Sequence, residues 1–221
     1  MANPKTSLLN NLISQGEHQQ QDFKYKIDDA PKLARSVSAF ANTDGGRLLI
    51  GVRDDGTIHG VRSEEEIFMM HAVASTYCTP EPTIQFATYH VPADTRDGGV
   101  CTVVVCTVLP FAERPVYALE DGRRTAYVRV DDENIVASPV HLSIWRQDAH
   151  LRGEAFSDTP PERSLLTVLA QHPEGVPLNR LCKQLSSLSR PRVILLLARF
   201  IRFGLARMER REQQWMFFPA E

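Results

Sequence analysis

The stretch Ser38-Ala39-Phe40-Ala41-Asn42-Thr43-Asp44-Gly45-Gly46, followed by Leu48-Leu49-Ile50-Gly51-Val52 and Asp54-Asp55-Gly56, constrains the fold more than any other part of this 221-residue chain. Upstream, Leu33, Val37, Phe40 and Ala41 recur at helical spacing, with Asp28 or Asp29 as cap and Pro31 in the first turn. Gly45 and Gly46 tolerate positive φ and close backbone approach, so they end that helix. Asn42 and Thr43 can bond the backbone at the corner. Residues 47–53 then read as a strand, and Asp55-Gly56 turns the chain into a short partner over 57–61. A helix, a glycine corner, a strand and a tight hairpin in succession predict a mixed α+β domain.

The flanking pattern agrees. Leu8, Leu9, Leu12 and Ile13 predict a helix over about 6–15, closed by Gly16. From Gln21 to Lys26 the chain alternates, with Phe23 and Tyr25 on one face and Asp22, Lys24 and Lys26 on the other. Ser63 and Glu66 have capping-box spacing before a helix running to about Tyr77, with Ile67, Met70 and Ala74 inward. Strands are predicted over 83–91, 100–109, 116–119 and 125–130, then a helix over 139–150. Residues 1–150 thus form one domain, and 151–161, with Gly153, Ser157, Thr159 and two prolines, read as a linker. Residues 162–221 give helices near 162–171, 178–186 and 190–203, then strands 205–210 and 215–218, which is the winged-helix order.

Composition excludes several classes. The four cysteines have no C-x-x-C spacing and the seven histidines no i, i+4 pair, so neither zinc site nor disulfide framework is expected. The longest apolar run, Val193 to Ala198, is too short to span a bilayer, and the expected location is cytoplasmic, with no membrane partner. The formal net charge of -2 hides a split. The 61 residues after Pro160 hold ten Lys or Arg against five Glu, leaving 15 basic against 22 acidic residues in front. A basic half of this kind points to nucleic acid.

Two sets of residues are candidate sites. In the front domain Asp22 and Lys24 share a strand face, Glu17 lies in the loop before it, and Asp54 ends the next strand. If these strands pair, Glu17, Asp22 and Asp54 can converge on Mg²⁺ or Mn²⁺ as hard oxygen ligands, with Lys24 stabilising a phosphodiester transition state. The alternative is a solvated face with a surface ion pair, which contributes under about 1 kcal/mol. In the basic half, Ser189 caps a candidate recognition helix with Arg190 and Arg192 in its first turn. Arg199 and Arg202 continue near that face, and Arg207, Arg210 and Arg211 lie on the wing. Leu195 falls within the arginine face, and an exposed leucine there suits a dimer or partner interface instead of base-edge readout.

The 38–56 run, with Gly60, Arg114-Pro115 and Tyr117, Tyr127-Val128-Arg129-Val130, Asn134 and Ala137-Ser138, resembles the signature of the Schlafen AlbA-type domain over about residues 8–140. That family has long been labelled DNA-binding and is often described as divergent AAA. Asp22-Phe23-Lys24 stands where the family usually has Glu-Phe-Lys, and Glu17 lies five residues earlier. In Schlafens that act as RNA endonucleases, these two acids and an Asp matching Asp54 are catalytic. Asp at position 22 is one methylene shorter, and a misplacement of about 1 Å can cost about 10²-fold in rate. The resemblance implies a bacterial, regulatory, homo-oligomeric protein binding DNA or structured RNA, with Arg35, Arg47, Arg129 and Lys24 as contacts in front. The alternatives are a Mg- or Mn-dependent endoribonuclease using Glu17, Asp22 and Asp54, an ATP-binding protein, or a protein-interaction adaptor. Against ATP, both G-x-x-x-x-G-K-[ST] and G-x-G-x-x-G are missing, and Gly45-Gly46 follows a helix rather than opening one.

Overall fold

A computed structural model describes residues 4–92, 99–150 and 159–220. The chain divides into two units, Met1–Val136 and Ala137–Glu221. The first is α+β and begins with α1 (Pro4–Ser14), β1 (Gln21–Lys24), α2 (Ala30–Asn42), β2 (Gly46–Ile50) and α3 (Ser63–Thr76). It continues with β3 (Cys78–Thr79), β4 (Ile84–Pro92), β5 (Val100–Val108), β6 (Tyr117–Glu120), β7 (Arg123–Val130) and β8 (Glu133–Val136). One sheet has the order β1-β2-β5-β4 and the other β3-β6-β7-β8. β1 and β2 pair in parallel, aligning Asp22 with Leu48 and Lys24 with Ile50, and β5 is antiparallel to β2 and β4.

The apolar run on β2 is explained by burial of both sheet faces. Leu48 and Ile50 join Val104, Cys106, Val37, Phe40, Met70 and Val73 in one core. Leu49 points the other way, with Phe23, Val52, Val103, Val105 and Leu9 of α1. Helix α2 packs against β2 and β5 of one sheet and β6, β7 and β8 of the other. The glycine corner is filled by protein. A Cβ at Gly46 would sit 2.3 Å from Phe40 Cδ1, and one at Gly45 (φ +72) would sit 2.8 Å from Pro110 Cδ.

Several local expectations are revised. Asp29 is the cap of α2, accepting the Lys32 N–H at 2.9 Å. The Ser63–Glu66 capping box does not form: Arg62 is the N-cap, and the Glu66 carboxylate takes the Ile27 N–H at 3.1 Å. A tertiary donor has displaced the local one. Strand β2 stops at Ile50 because Gly51 turns to φ +99, and the expected 57–61 strand reduces to a Val52–Ile58 bridge.

The second unit holds α4 (Pro139–His150), α5 (Pro160–Ala170), β9 (Val176–Pro177), α6 (Leu178–Gln184), α7 (Arg190–Arg202), β10 (Ala206–Arg211) and β11 (Gln214–Pro219). Its sheet order is β10-β11-β9. Glu212 and Gln213, both at positive φ, close the β10–β11 hairpin, the pairing of signs that a type I′ turn requires. Val140 of α4 lies in the same core as Leu165, Leu181, Leu196, Phe200 and Phe217. For that reason α4, assigned by sequence to the front domain, belongs with this unit. Residues 151–158 of the expected linker lie outside the described residues. Unit two has 12 basic against eight acidic residues, so the positive excess survives the new boundary. Among the described residues no helix is long and apolar enough to cross a membrane.

Candidate functional site

The first unit is organised around a polar clasp between α2 and the β6–β7 sheet. Asn42 Nδ2 donates to the carbonyls of Val116 (2.8 Å) and Tyr127 (2.9 Å), while its Oδ1 accepts the Val116 N–H at 2.8 Å. Ser38 Oγ donates to Val116 O at 2.8 Å and accepts the Tyr127 N–H at 3.1 Å. Thr43 Oγ1 accepts the Arg129 N–H at 2.9 Å. Ser38 and Asn42 are one helical turn apart, so both reach the same strands. Neither residue is left with a polar atom for a ligand.

Asp22 lies at the edge of this clasp. Phe23 is committed to the opposite face, so alternation turns Asp22 and Lys24 toward α2 and β7. The expected solvated face is therefore corrected: Asp22 is only 5% exposed. Its carboxylate meets Lys24 Nζ at 2.8 Å, Arg129 Nη2 at 3.7 Å and the Ser36 hydroxyl at 3.4 Å. Arg129 is buried too, donating to Asn134 Oδ1 (3.0 Å), Gln21 O (3.2 Å) and His18 O (3.4 Å), with its guanidinium 5.1 Å from the Phe40 ring centroid. Glu17 accepts the Phe23 N–H at 2.8 Å and pairs with Asp22. Burial, then the hydrogen bond to Asp22, pushes the Glu17 carboxyl up to about 7. For Asp22, burial pushes upward, but the bond from Glu17 and the charges of Lys24 and Arg129 outweigh it, and the net direction is down. Below about pH 7 the pair's proton therefore sits on Glu17 and the negative charge on Asp22.

The structure thus brings Glu17, Asp22 and Lys24 together. Asp54 is elsewhere, exposed on the turn after β2, in a cleft of about 500 Å³ lined by Tyr25, Arg53, Asp54 and Asp55. Among the described residues no group of three His, Cys, Asp or Glu side chains is placed to hold a metal ion. Asp22 spends its oxygens on two cations and a hydroxyl, and Glu17 shares a proton with it. The three acids do not fit the Mg²⁺ or Mn²⁺ expected from sequence. Of the front-domain basic candidates, Arg35 pairs with Glu120, and Arg47 donates to Gln21 Oε1 (2.6 Å) and Gln15 Oε1 (2.8 Å). With Arg129 buried and Lys24 on Asp22, all four have partners within the fold.

In the second unit the seven candidate arginines have different surroundings. Arg199 pairs with buried Glu162 at 2.9 Å and Arg202 with Asp148 of α4 at 2.7 Å. Arg207 and Arg211 both pair with Glu209, and both lie 4.4 Å from the Phe218 ring centroid. Gln147 of α4 donates to Leu195 O at 3.2 Å, so α4 lies along the later part of α7. Arg190 and Arg192, in the first turn, are exposed, and Arg190 donates to Asn179 Oδ1 at 2.8 Å. Neither has a carboxylate partner among the described residues. Arg210 is half-buried on the hairpin.

Sequence reasoning missed Arg129 as a buried hub and Gln21, whose fully buried amide donates to Leu12 O (2.7 Å) and Gly16 O (2.6 Å). It also missed the grouping of Tyr25 with His59, residues 34 positions apart with no local signal joining them.

Comparison with known proteins follows the first unit. The model of the family described as Schlafen, AlbA_2 matches residues 17–138, more than half of the chain. No curated protein matches. Among solved structures, the chain is similar to the DIP2311 protein of Corynebacterium diphtheriae at 17% identity and a TM-score of 0.41. That match covers 83% of this chain and 37% of the other.

Proposed function

The chain belongs to the Schlafen AlbA_2 family, and from that premise we propose that it is a regulatory nucleic-acid-binding protein whose second unit is a winged helix docking on duplex DNA. The carrying observation is the first turn of α7. There Arg190 and Arg192 are exposed and have no carboxylate partner among the described residues, and Arg190 is braced by Asn179. A recognition helix approaches the groove with its N-terminal residues. The β10–β11 hairpin follows as a wing, though Arg207 and Arg211 are engaged with Glu209 and Phe218.

This reading predicts modest affinity. Each neutralised phosphate contributes a slope of about −0.9 in log K against log salt. Arg190 and Arg192 alone give a slope of about −2, where all seven candidate arginines would give about −6. A second copy would double the contacts, and Leu195, 41% exposed on α7, offers an apolar contact for one. The test is duplex affinity against salt for the intact chain and for Arg190→Ala and Arg192→Ala. Each substitution lowers the slope by about 1. An unchanged slope in both variants refutes the winged-helix reading and favours a protein-interaction unit.

A second reading, an endoribonuclease, is supported by one feature: Glu17, Asp22 and Lys24 do converge. Incubation with structured RNA and Mg²⁺ or Mn²⁺, beside Glu17→Gln and Asp54→Ala, tests it. Cleavage that is lacking, or unchanged in both variants, removes it.

A further inference from the structure

The cleft after β2 has a construction that the clasp and the acid pair do not explain. Tyr25 follows β1 directly and is 38% exposed. Its ring lies 4.2 Å from the His59 ring, tilted by 37°, and the Arg53 guanidinium lies 5.1 Å from the Tyr25 centroid. Arg53, Tyr25 and His59 form a short exposed ladder of flat groups. The carboxylates of Asp54 and Asp55 stand beside it, in a cleft of about 500 Å³. Neither the Arg53 guanidinium nor the Asp54 carboxylate has a hydrogen bond or ion pair among the described residues.

The platform is held by backbone. Arg53 N donates to Thr57 O (3.0 Å), Gly56 N to Arg53 O (2.8 Å) and His59 N to Gly51 O (2.9 Å). Thr57 N donates to Asp55 Oδ1 at 2.8 Å. Gly51 N donates to Lys24 O at 2.8 Å, which fixes the chain leading into Tyr25 against the hairpin. A rigid platform loses little entropy on binding a flat ligand.

We propose that this cleft binds a guanine base, stacked on the Arg53–Tyr25 wall with its N1–H and N2 amino edge donating to the Asp54 carboxylate. Charge selects against the phosphate alternative, because two carboxylates outnumber one guanidinium. Unpaired bases stack on aromatic rings and guanidinium planes and are read at their Watson–Crick edge. Guanine alone offers two adjacent N–H donors on that edge, the arrangement a carboxylate accepts bidentately. The site goes beyond duplex binding by the second unit, and it serves either an unpaired strand or a free guanosine nucleotide.

The test uses the full chain and fluorescein-labelled five-nucleotide RNAs, uridine throughout except for guanosine, inosine, adenosine or uridine at the centre. Anisotropy is expected to give the guanosine strand about 10-fold tighter binding than inosine, which lacks the N2 amino group, through one charge-assisted hydrogen bond. Asp54→Asn abolishes the guanosine–inosine difference. Tyr25→Ala weakens the guanosine strand by about 10-fold, the effect of one lost base–aromatic stack. Equal affinity for guanosine and inosine, no binding of the guanosine strand, or an unaltered Tyr25→Ala variant overturns the proposal. Competition by guanosine monophosphate at the strand's own Kd identifies a free nucleotide as the ligand, and failure to compete identifies the strand; both outcomes support guanine recognition. The guanosine–inosine affinity ratio and the duplex salt slope are separate readouts of the same chain, so the two proposals fail separately.

Discussion

Replacing Asn42 by Ala tests whether the α2 clasp holds the first unit together. Asn42 is buried and bonds the N–H and the carbonyl of Val116 and the Tyr127 carbonyl, across sequence separations of 74 and 85 residues. Alanine leaves the Val116 N–H and the Tyr127 carbonyl without this partner, while Val116 O keeps the Ser38 hydroxyl. A buried group so orphaned costs about 1–3 kcal/mol. Two of them, plus the void left by the carboxamide, give a loss of about 3–5 kcal/mol. Domains of this size are stable by about 5–15 kcal/mol, so a third or more of the margin goes. Urea unfolding followed by far-UV circular dichroism reads it directly. With an m-value of about 2 kcal/mol/M, the first-unit midpoint falls by about 2 M. A midpoint within about 0.3 M of the unaltered chain would refute the clasp as the main tie between α2 and the β6–β7 sheet, since it corresponds to less than one net hydrogen bond.

Gly46→Ala places a methyl 2.3 Å from the Phe40 ring. It is expected to destabilise by about 1–3 kcal/mol through overpacking, and a melting temperature unchanged by the substitution would contradict that contact. Glu17 gives a pH signature. Its carboxyl is raised from 4.5 to about 7 in the fold, so between these values the folded chain holds a proton the unfolded chain has lost, and stability falls as pH rises through the window. Because Glu17 is only partly buried, the effect is discounted to about 1 kcal/mol, and Glu17→Gln flattens it; an equal slope in the variant counts against the Glu17–Asp22 pair. Glu162→Ala leaves Arg199 without its buried carboxylate and also removes the acceptor of the Thr159 N–H (2.8 Å). The second-unit transition should lose about 3–5 kcal/mol, measured by chemical unfolding, and a loss under about 1 kcal/mol would show the pair to be dispensable.

What the sequence made legible was what short-range physics decides. The run Leu48-Leu49-Ile50 is apolar on both faces because both faces of β2 are covered, and Asp29 with Pro31 starts α2 at the place a cap and a fixed φ favour. The β10–β11 hairpin likewise follows from its turn. Long-range polar pairing was not legible. Nothing local distinguishes Glu66 as a Ile27 partner from Glu66 as a capping-box acid, or Arg129 under Phe40 from an arginine in water. Strands β3, β8 and β9 escaped for a different reason: they are short, and their formation depends on strands already placed beside them.

The signature residues and the candidate chemistry separate on this structure. Ser38, Asn42, Thr43, Gly46 and Arg129 each have a structural duty sufficient to account for them. Asp22 shares that duty, since removing it would leave the buried Arg129 guanidinium with no carboxylate among the described residues, a change of the kind that costs about 3–5 kcal/mol. An acid at position 22 is thus required by the fold whether or not the unit cleaves RNA. Family membership, carried by the same residues, follows the scaffold. Asp54 and Arg53 differ: they are exposed, held on a backbone-braced turn, and without hydrogen bonds or ion pairs among the described residues. Side chains that the fold does not use, on a loop that the fold makes rigid, are where binding is free to reside. The discriminating experiments therefore belong at the turn after β2 and at the first turn of α7, rather than at the signature.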